Sequence, residues 1–205
     1  MVATGTLEIV IARLDVGADA ADALASLLSG EERQRAGRFA ADRERRRFTV
    51  ARARLRQLLG ERLDVAPGAI ELVYSAGGKP RLHPRFGGTV RFNVSHHQDV
   101  AAFAFANGRE VGVDIERVRT LADQDAVAAL VFSPREHREY LELDPEQKPH
   151  AFFNCWTRKE AFVKALGEGL RYPLHRFDAS LVPDGWALHA FSPGDQLVGA
   201  VAVAV

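Results

Sequence analysis

A single cysteine, Cys155, among 205 residues excludes an intramolecular disulfide and a zinc site built on cysteine thiolates. No window approaches the ~18 uninterrupted apolar residues of a membrane span, so no membrane-spanning segment is expected. The stretch Met1 to Glu8 has neither a basic start nor a long apolar run, and a secretory leader is not expected. An excess of either charge sign is also missing, since the formal net charge is zero. Lysine is scarce: Lys79, Lys148, Lys159 and Lys164 stand against 23 arginines, which makes each lysine worth individual inspection. What is present is an ordinary soluble composition, 47% apolar and 26% charged, and a cytoplasmic location is the expectation.

The charge is unevenly spread, with eleven arginines and five acids between Glu31 and Arg62. The chain is long enough for one large domain or two of about 100 residues. Its pattern predicts a strand over 7–14, helices over 18–28, 31–38 and 42–63, and strands over 70–74, 90–97, 100–106 and 111–116. Ser29 with Glu32 three residues on has the form of a capping box. In the long helix Phe48, Ala51, Leu55, Leu58 and Leu59 form the expected buried stripe, with Arg52 and Arg56 on other faces. Asn107-Gly108 is a hairpin turn signal. Helices over 122–131 and 134–140 follow, then an acidic break over 143–149, a helix through residues 152–166, and strands around 177–182, 186–190 and 197–205. This order predicts an α+β fold of two similar halves, residues 1–107 and 108–205, with a ligand cleft between them.

Two stretches carry the chemistry. In Val111-Gly112-Val113-Asp114-Ile115-Glu116 the period of two puts both carboxylates on one face, beside a glycine. Carboxylates about 7 Å apart repel unless a cation lies between them, and hard oxygen ligands at that separation suit Mg²⁺. Alone, the pair is equally the solvent-facing side of an edge strand. The second stretch runs from Cys155 to Leu170, where Phe152, Trp156, Val163 and Leu166 mark an apolar stripe and Gly167 and Gly169 supply a left-handed stop. Glu160 and Lys164 sit four apart on its other side. As a lone pair they amount to a surface ion pair, but Glu160 as a third oxygen would complete a metal site. Lys79 stands on the turn Ser75-Ala76-Gly77-Gly78-Lys79-Pro80, and Ser95-His96 ends a strand. Mg²⁺ ligands surrounded by lysine, arginine, serine and histidine are what a polyphosphate requires.

Taken together, Gly78-Lys79-Pro80, Phe92-Asn93-Val94-Ser95-His96, Gly112-Val113-Asp114-Ile115-Glu116, Phe132-Ser133-Pro134-Arg135-Glu136 and Trp156-Thr157-Arg158-Lys159-Glu160-Ala161-Phe162-Val163-Lys164 resemble the Sfp-type 4′-phosphopantetheinyl transferases from about residue 29 to 174. The resemblance implies a pseudo-dimer of two α/β halves with the active site in the cleft between them. It implies transfer of 4′-phosphopantetheine from coenzyme A to a serine of an acyl or peptidyl carrier protein, with release of 3′,5′-ADP. Asp114, Glu116 and Glu160 match the Mg²⁺ ligands, and Glu160 or a metal-bound water matches the base. Lys164 matches the pyrophosphate contact that assists the leaving group. Lys79, Ser95 and His96 match coenzyme A contacts, and Arg35 and Arg47 fall where basic residues hold the 3′-phosphate. Glu136 matches a motif glutamate with no definite role.

The chain departs from the family pattern where Glu32 replaces a basic residue, which leaves Arg35, Arg38, Arg43 and Arg47 to share the 3′-phosphate. A second departure is His97 after His96, where a small residue is usual. The expected partners are coenzyme A and carrier domains, with no nucleic acid and no membrane, and a chain carrying both halves of the site would act as a monomer. The basic face and the apolar helix of residues 122–132 are candidates for carrier docking. Two alternatives, a Mg²⁺-dependent nuclease and a basic nucleic-acid-binding module on the arginine-rich helix, leave the four-residue spacing of Glu160 and Lys164 or the Asp-x-Glu strand unexplained.

Overall fold

The computed structural model describes residues 6–75, 77–167, 169 and 172–205. Ala76, Glu168 and Leu170, named above within the lysine turn and the glycine-stopped motif, lie outside the described residues. In chain order the elements are β1 (Glu8–Arg13), α1 (Ala18–Ala25), α2 (Gly30–Ala36), α3 (Asp42–Leu63), β2 (Leu72–Tyr74), β3 (Pro80–Leu82), β4 (Val90–His97), β5 (Val100–Asn107) and β6 (Val111–Arg117). There follow α4 (Gln124–Val131), α5 (Pro134–Leu141), α6 (Lys148–Leu166), β7 (Trp186–Gly194) and β8 (Leu197–Ala204). The fold is mixed α and β with antiparallel sheets, and no helix among the described residues is long and apolar enough to cross a membrane.

Period-two alternation in β5 organises the centre. Ala101, Phe103 and Phe105 point to one side, where they pack with Leu14, Val50, Leu55 and Leu59 beneath α1 and α3. Val100, Ala102, Ala104 and Ala106 point to the other, against Val111, Val113 and Ile115 of β6 and Val201 and Val203 of β8. The small alanine side chains on that face let one sheet approach the next. Beyond the second sheet Ala200, Ala202 and Leu188 meet Ala161, Phe162 and Ala165 of α6. The order is therefore helices, sheet β1-β5-β4, sheet β6-β8-β7, helix α6. In each sheet the first strand in sequence pairs with the last, and the last with the one before it.

Four expectations are corrected. Asn107-Gly108 does not close a hairpin, because β5 already has both edges filled by β1 and β4, and the chain crosses to pair β6 with β8. No strand forms over 177–182, where the backbone bonds side chains instead: Phe177 O accepts from Lys159, Ala179 O from Arg158, and Ala179 N donates to Glu136. The acidic break ends earlier than expected, since α6 begins at Lys148 with Pro149 in its first turn, where a missing N–H costs nothing. Finally, Arg56 is no surface residue. It is 2% exposed, and its guanidinium meets Glu32 at 2.6 Å and the carbonyls of Pro67 and Ile70. The Ser29–Glu32 capping box does form, so Glu32 caps α2 and pairs with Arg56 at once. Short β3 was not foreseen from the sequence.

Helix α6 lies directly on β6. A Cβ built on Gly112 would sit 2.1 Å from Ala161 O and 2.3 Å from Ala165 N, contacts no side chain tolerates. Gly112→Ala must therefore push helix from strand, and overpacking of this kind costs about 3 kcal/mol or more when backbone is what must move. Urea denaturation should show that loss, while Gly30→Ala, where a Cβ meets nothing within 4 Å, should unfold close to wild type.

Candidate active site

Strand β6 is an edge strand: β8 pairs with one side, and the other side has no strand partner among the described residues. Because Val111 to Ile115 are buried, unpaired N–H and C=O groups on that side would be costly. Three side chains each satisfy one of them. Lys79 Nζ donates to Val111 O at 3.0 Å, Val113 N donates to Asn93 Oδ1 at 2.9 Å, and Ile115 N donates to Ser95 Oγ at 3.3 Å. Asn93 and Ser95 stand on β4, opposite Ala104 and Ala102 of β5, so the seam between the sheets is stitched by β4 side chains.

Ser95 is saturated. It accepts from Ile115 N and from Lys164 Nζ at 3.2 Å and donates to Asp114 Oδ1 at 2.9 Å. Lys164 also meets Asp114 Oδ1, at 2.6 Å. Asp114 Oδ2, in contrast, is buried with no hydrogen-bond partner among the described residues. Glu116 is engaged by His97 Nδ1 at 2.8 Å and by Arg119 at 3.5 Å. Glu160 is half-buried and makes no hydrogen bond among the described residues. Burial pushes its carboxyl pKa above the usual range; Lys164 opposes this, and repulsion from Asp114 and Glu116 adds to it. The three carboxylates thus sense one another across α6 and β6, although among the described residues no cluster of three side chains converges closely enough to hold a metal ion. An orphaned carboxylate oxygen with two more carboxylates within electrostatic reach offers the hard oxygen donors that a divalent cation takes.

Beside this group Lys79, Asn93, Glu160, Val163 and Lys164 help line a crevice of about 260 Å³. Lys79 itself is only 9% exposed, and Glu110, Val111 O and Ala165 O take its ammonium. Burial lowers its pKa. Arg47 lies apart, buried and held by both oxygens of Asp15, at 2.7 and 3.1 Å, and by Glu44. Arg35 is exposed, with its guanidinium 5.4 Å from the Phe48 ring centre. His96 is open to solvent on part of its ring, yet partial desolvation and the nearby positive charges of Lys164 and Arg52 hold its pKa below the usual range. The structure brings Ser95, Asp114 and Lys164 into contact, keeps Glu116 and Glu160 near, and leaves Arg35 and Arg47 on α2 and α3.

Two family models match the chain: "4′-phosphopantetheinyl transferase superfamily" over residues 110–194, and "4′-phosphopantetheinyl transferase, N-terminal" over residues 18–107. The 4′-phosphopantetheinyl transferase HetI of a Nostoc species is 40% identical over 191 residues, covering 88% of this chain and 80% of that protein. The chain belongs to the 4′-phosphopantetheinyl transferases. A Bacillus pumilus 4′-phosphopantetheinyl transferase, psf-1, is 32% identical over 80% of this chain and 68% of its own length. AcpT of Salmonella typhimurium is 39% identical, over 62% of each chain.

In this transferase two residues that the motif reading left without a role hold α6 in place. Lys159 has no exposed surface, and its ammonium meets Glu136 Oε2 at 2.7 Å, Leu174 O at 2.9 Å and Phe177 O at 2.6 Å. Glu136 closes a capping box on α5 with Ser133 and accepts from Ala179 N at 2.6 Å. The Ser-x-x-Glu spacing at Ser133 has the form of a capping box and could have identified half of this, although the sequence reading drew that only at Ser29; nothing in the sequence pointed to Lys159 as its partner. Glu160 follows Lys159 directly, so the buried pair fixes the turn of helix that carries the carboxylate. Gly167 then ends α6 in a left-handed cap, φ 79°, with its N–H on Val163 O.

Two stability measurements follow. Lys159→Met leaves Glu136 charged and buried, so it should lose roughly 3–5 kcal/mol by chemical denaturation, and adding Glu136→Gln should recover part of that loss. Asp15 is held well below its ordinary 3.8 by hydrogen bonds from Arg47 and then Arg43. A depressed carboxylate contributes stability above its unfolded pKa and loses it as pH falls toward the folded value. Asp15→Asn should therefore melt lower than wild type at pH 7, and the gap should close below about pH 4.

Proposed function

We propose that the chain transfers 4′-phosphopantetheine from coenzyme A to a serine of an acyl or peptidyl carrier domain, as a holo-carrier synthase working at the seam between two related halves. The observation that carries this reading is the orphaned oxygen of Asp114, set beside Lys164, with Asp114 and Glu116 both acting electrostatically on Glu160. Two features support the pseudo-dimer. The sheets share one strand order, and the two family models divide the chain between residues 107 and 110. On this reading residues 1–107 hold the nucleotide end of coenzyme A and residues 108–205 hold the reacting end.

Asp114, Glu116 and Glu160 are the residues that would hold Mg²⁺. A bound Mg²⁺ would neutralise pyrophosphate oxygens and stabilise the charge that develops on them. The rest falls to the chain. Lys164, already aimed at Asp114 Oδ1, turns its ammonium to the oxygen of the bond that breaks. The carrier serine oxygen bonds to the β-phosphorus, the phosphorus–oxygen bond to 3′,5′-ADP breaks, and the leaving oxygen keeps the electron pair. Glu160, a carboxylate of raised pKa with no other hydrogen bond, is the group suited to take the serine proton. The 260 Å³ crevice lies just under the ~300–1,000 Å³ of a typical small-molecule pocket, as fits one end of an extended ligand. Exposed Leu130 on α4 is available to an apolar carrier surface. A nuclease is disfavoured by the position of Glu160 and Lys164 on a helix rather than a strand.

The test is to incubate the protein with coenzyme A, Mg²⁺ and an apo carrier, then weigh the carrier by mass spectrometry. A gain of one phosphopantetheinyl group is expected, and no gain on carriers from several pathways would contradict the reading. Asp114→Asn and Glu160→Gln should each lower the rate by at least roughly 100-fold. Because the charged form of Glu160 is disfavoured by the fold, Glu160→Gln should melt no lower than wild type. Loss of both activity and stability would mean that Glu160 is structural.

A further inference from the structure

The two carboxylates of β6 are held in the same way, each by one oxygen. Ser95 Oγ and Lys164 Nζ both meet Oδ1 of Asp114, and Oδ2 is left without a partner among the described residues. His97 Nδ1, at 2.8 Å, and Arg119 Nη1, at 3.5 Å, both meet Oε2 of Glu116, and Oε1 makes no hydrogen bond among the described residues. The likeness follows from the strands themselves. Period two places Asn93, Ser95 and His97 on one face of β4 and His96 on the other. Asn93 meets Val113, Ser95 meets Asp114 and Ile115, and His97 meets Glu116, so the row answers β6 in step. His97 is its last member.

The imidazole has little freedom. His97 stands opposite Val100 across the turn of Gln98 and Asp99, where Gln98 takes a left-handed φ of 51°. Leu14 N donates to Asp99 O at 2.7 Å and ties that turn to the end of β1. With side-chain exposures of 17% for His97 and 24% for Glu116, the contact is better shielded than an ordinary surface ion pair. A carboxylate only accepts, so Nδ1 carries the hydrogen, and a neutral ring supplies it as well as a charged one. The small residue usual at this position would leave Glu116 with Arg119 alone, at the limit of hydrogen bonding. A glutamate side chain held still before a cation arrives has less freedom to lose on binding it.

We propose that His97 is a positioning residue for the cation site, holding Glu116 by Oε2 so that Oε1 stays free for a divalent cation. This rests on the reading that Asp114, Glu116 and Glu160 hold that cation. His97 touches neither the cation nor coenzyme A and acts through Glu116.

Titration of Mn²⁺ into the protein saturated with coenzyme A, with free Mn²⁺ counted by electron paramagnetic resonance, tests this without turnover. His97→Ala should weaken Mn²⁺ binding by roughly 10- to 100-fold, the usual result of removing a hydrogen bond to a metal-ligating side chain. His97→Asn, whose amide nitrogen takes the place of Nδ1 and can donate, should stay within about threefold of wild type. With EDTA in place of Mn²⁺, calorimetry should give both variants the coenzyme A affinity of wild type. The proposal is overturned if His97→Ala binds Mn²⁺ as wild type does while Asp114→Asn does not, or if His97→Asn fails to restore what His97→Ala loses. Weaker coenzyme A binding by His97→Ala in EDTA would make His97 a substrate contact and overturn it as well. Mn²⁺ binding unchanged by Asp114→Asn would instead overturn the cation reading beneath the proposal.

Discussion

The free edge of β6 is the constraint on which the site depends. A buried strand with one unpaired side must find donors and acceptors somewhere, and here they come from Lys79, Asn93 and Ser95 rather than from another strand. Side-chain bonding of this kind leaves the seam open in a way that a continuous ladder would not. The sheets stay distinct, β4 and β6 run close together, and the side chains of β6 that face α6 remain available. On that face Gly112 brings the backbone of α6 within reach of β6, which sets Lys164 against Asp114. Edge and glycine together fix three segments that are far apart in the sequence.

Electrostatics then divides the polar residues by whether their charge is already answered. Lys159 with Glu136, Arg56 with Glu32 and Arg47 with Asp15 are ion pairs that tie one element to another, although Glu32 Oε1 is buried with no hydrogen bond among the described residues. Within the site, among the described residues, Asp114 Oδ2 and Glu160 are open to a further partner. Closed pairs are understandable without a ligand. Open groups in partly dry surroundings are where a substrate or a metal would recover the lost solvation. These acidic groups lie along α6 and β6.

Much of this was legible in the sequence, because period and motif report local chemistry. The alternation of β6, the glycine stop of α6, the capping box at Ser29 and the family motifs could all be read directly. Connectivity was harder. Asn107-Gly108 has the residues of a hairpin, and only the occupied edges of β5 prevent one. The segment at 177–182 has strand-like residues, but buried Lys159, Arg158 and Glu136 claim its backbone. Arginine roles were the least legible. Arg47, Arg52 and Arg56 lie within ten residues on one helix, and their spacing does not say which meets Asp15, which meets Glu32 and which meets only aromatic rings.

The central claim is that one cation site straddles α6 and β6 at the orphaned oxygen of Asp114. A crystal structure with coenzyme A and Mn²⁺ standing in for Mg²⁺, solved with anomalous data, tests it most directly. The account predicts one Mn²⁺ peak bound to Asp114 Oδ2 and reached by Glu116 and Glu160, with Lys164 turned from Asp114 toward a phosphate oxygen. A coenzyme A complex in which Lys164 still pairs with Asp114 and the Mn²⁺ peak lies away from all three carboxylates would contradict it.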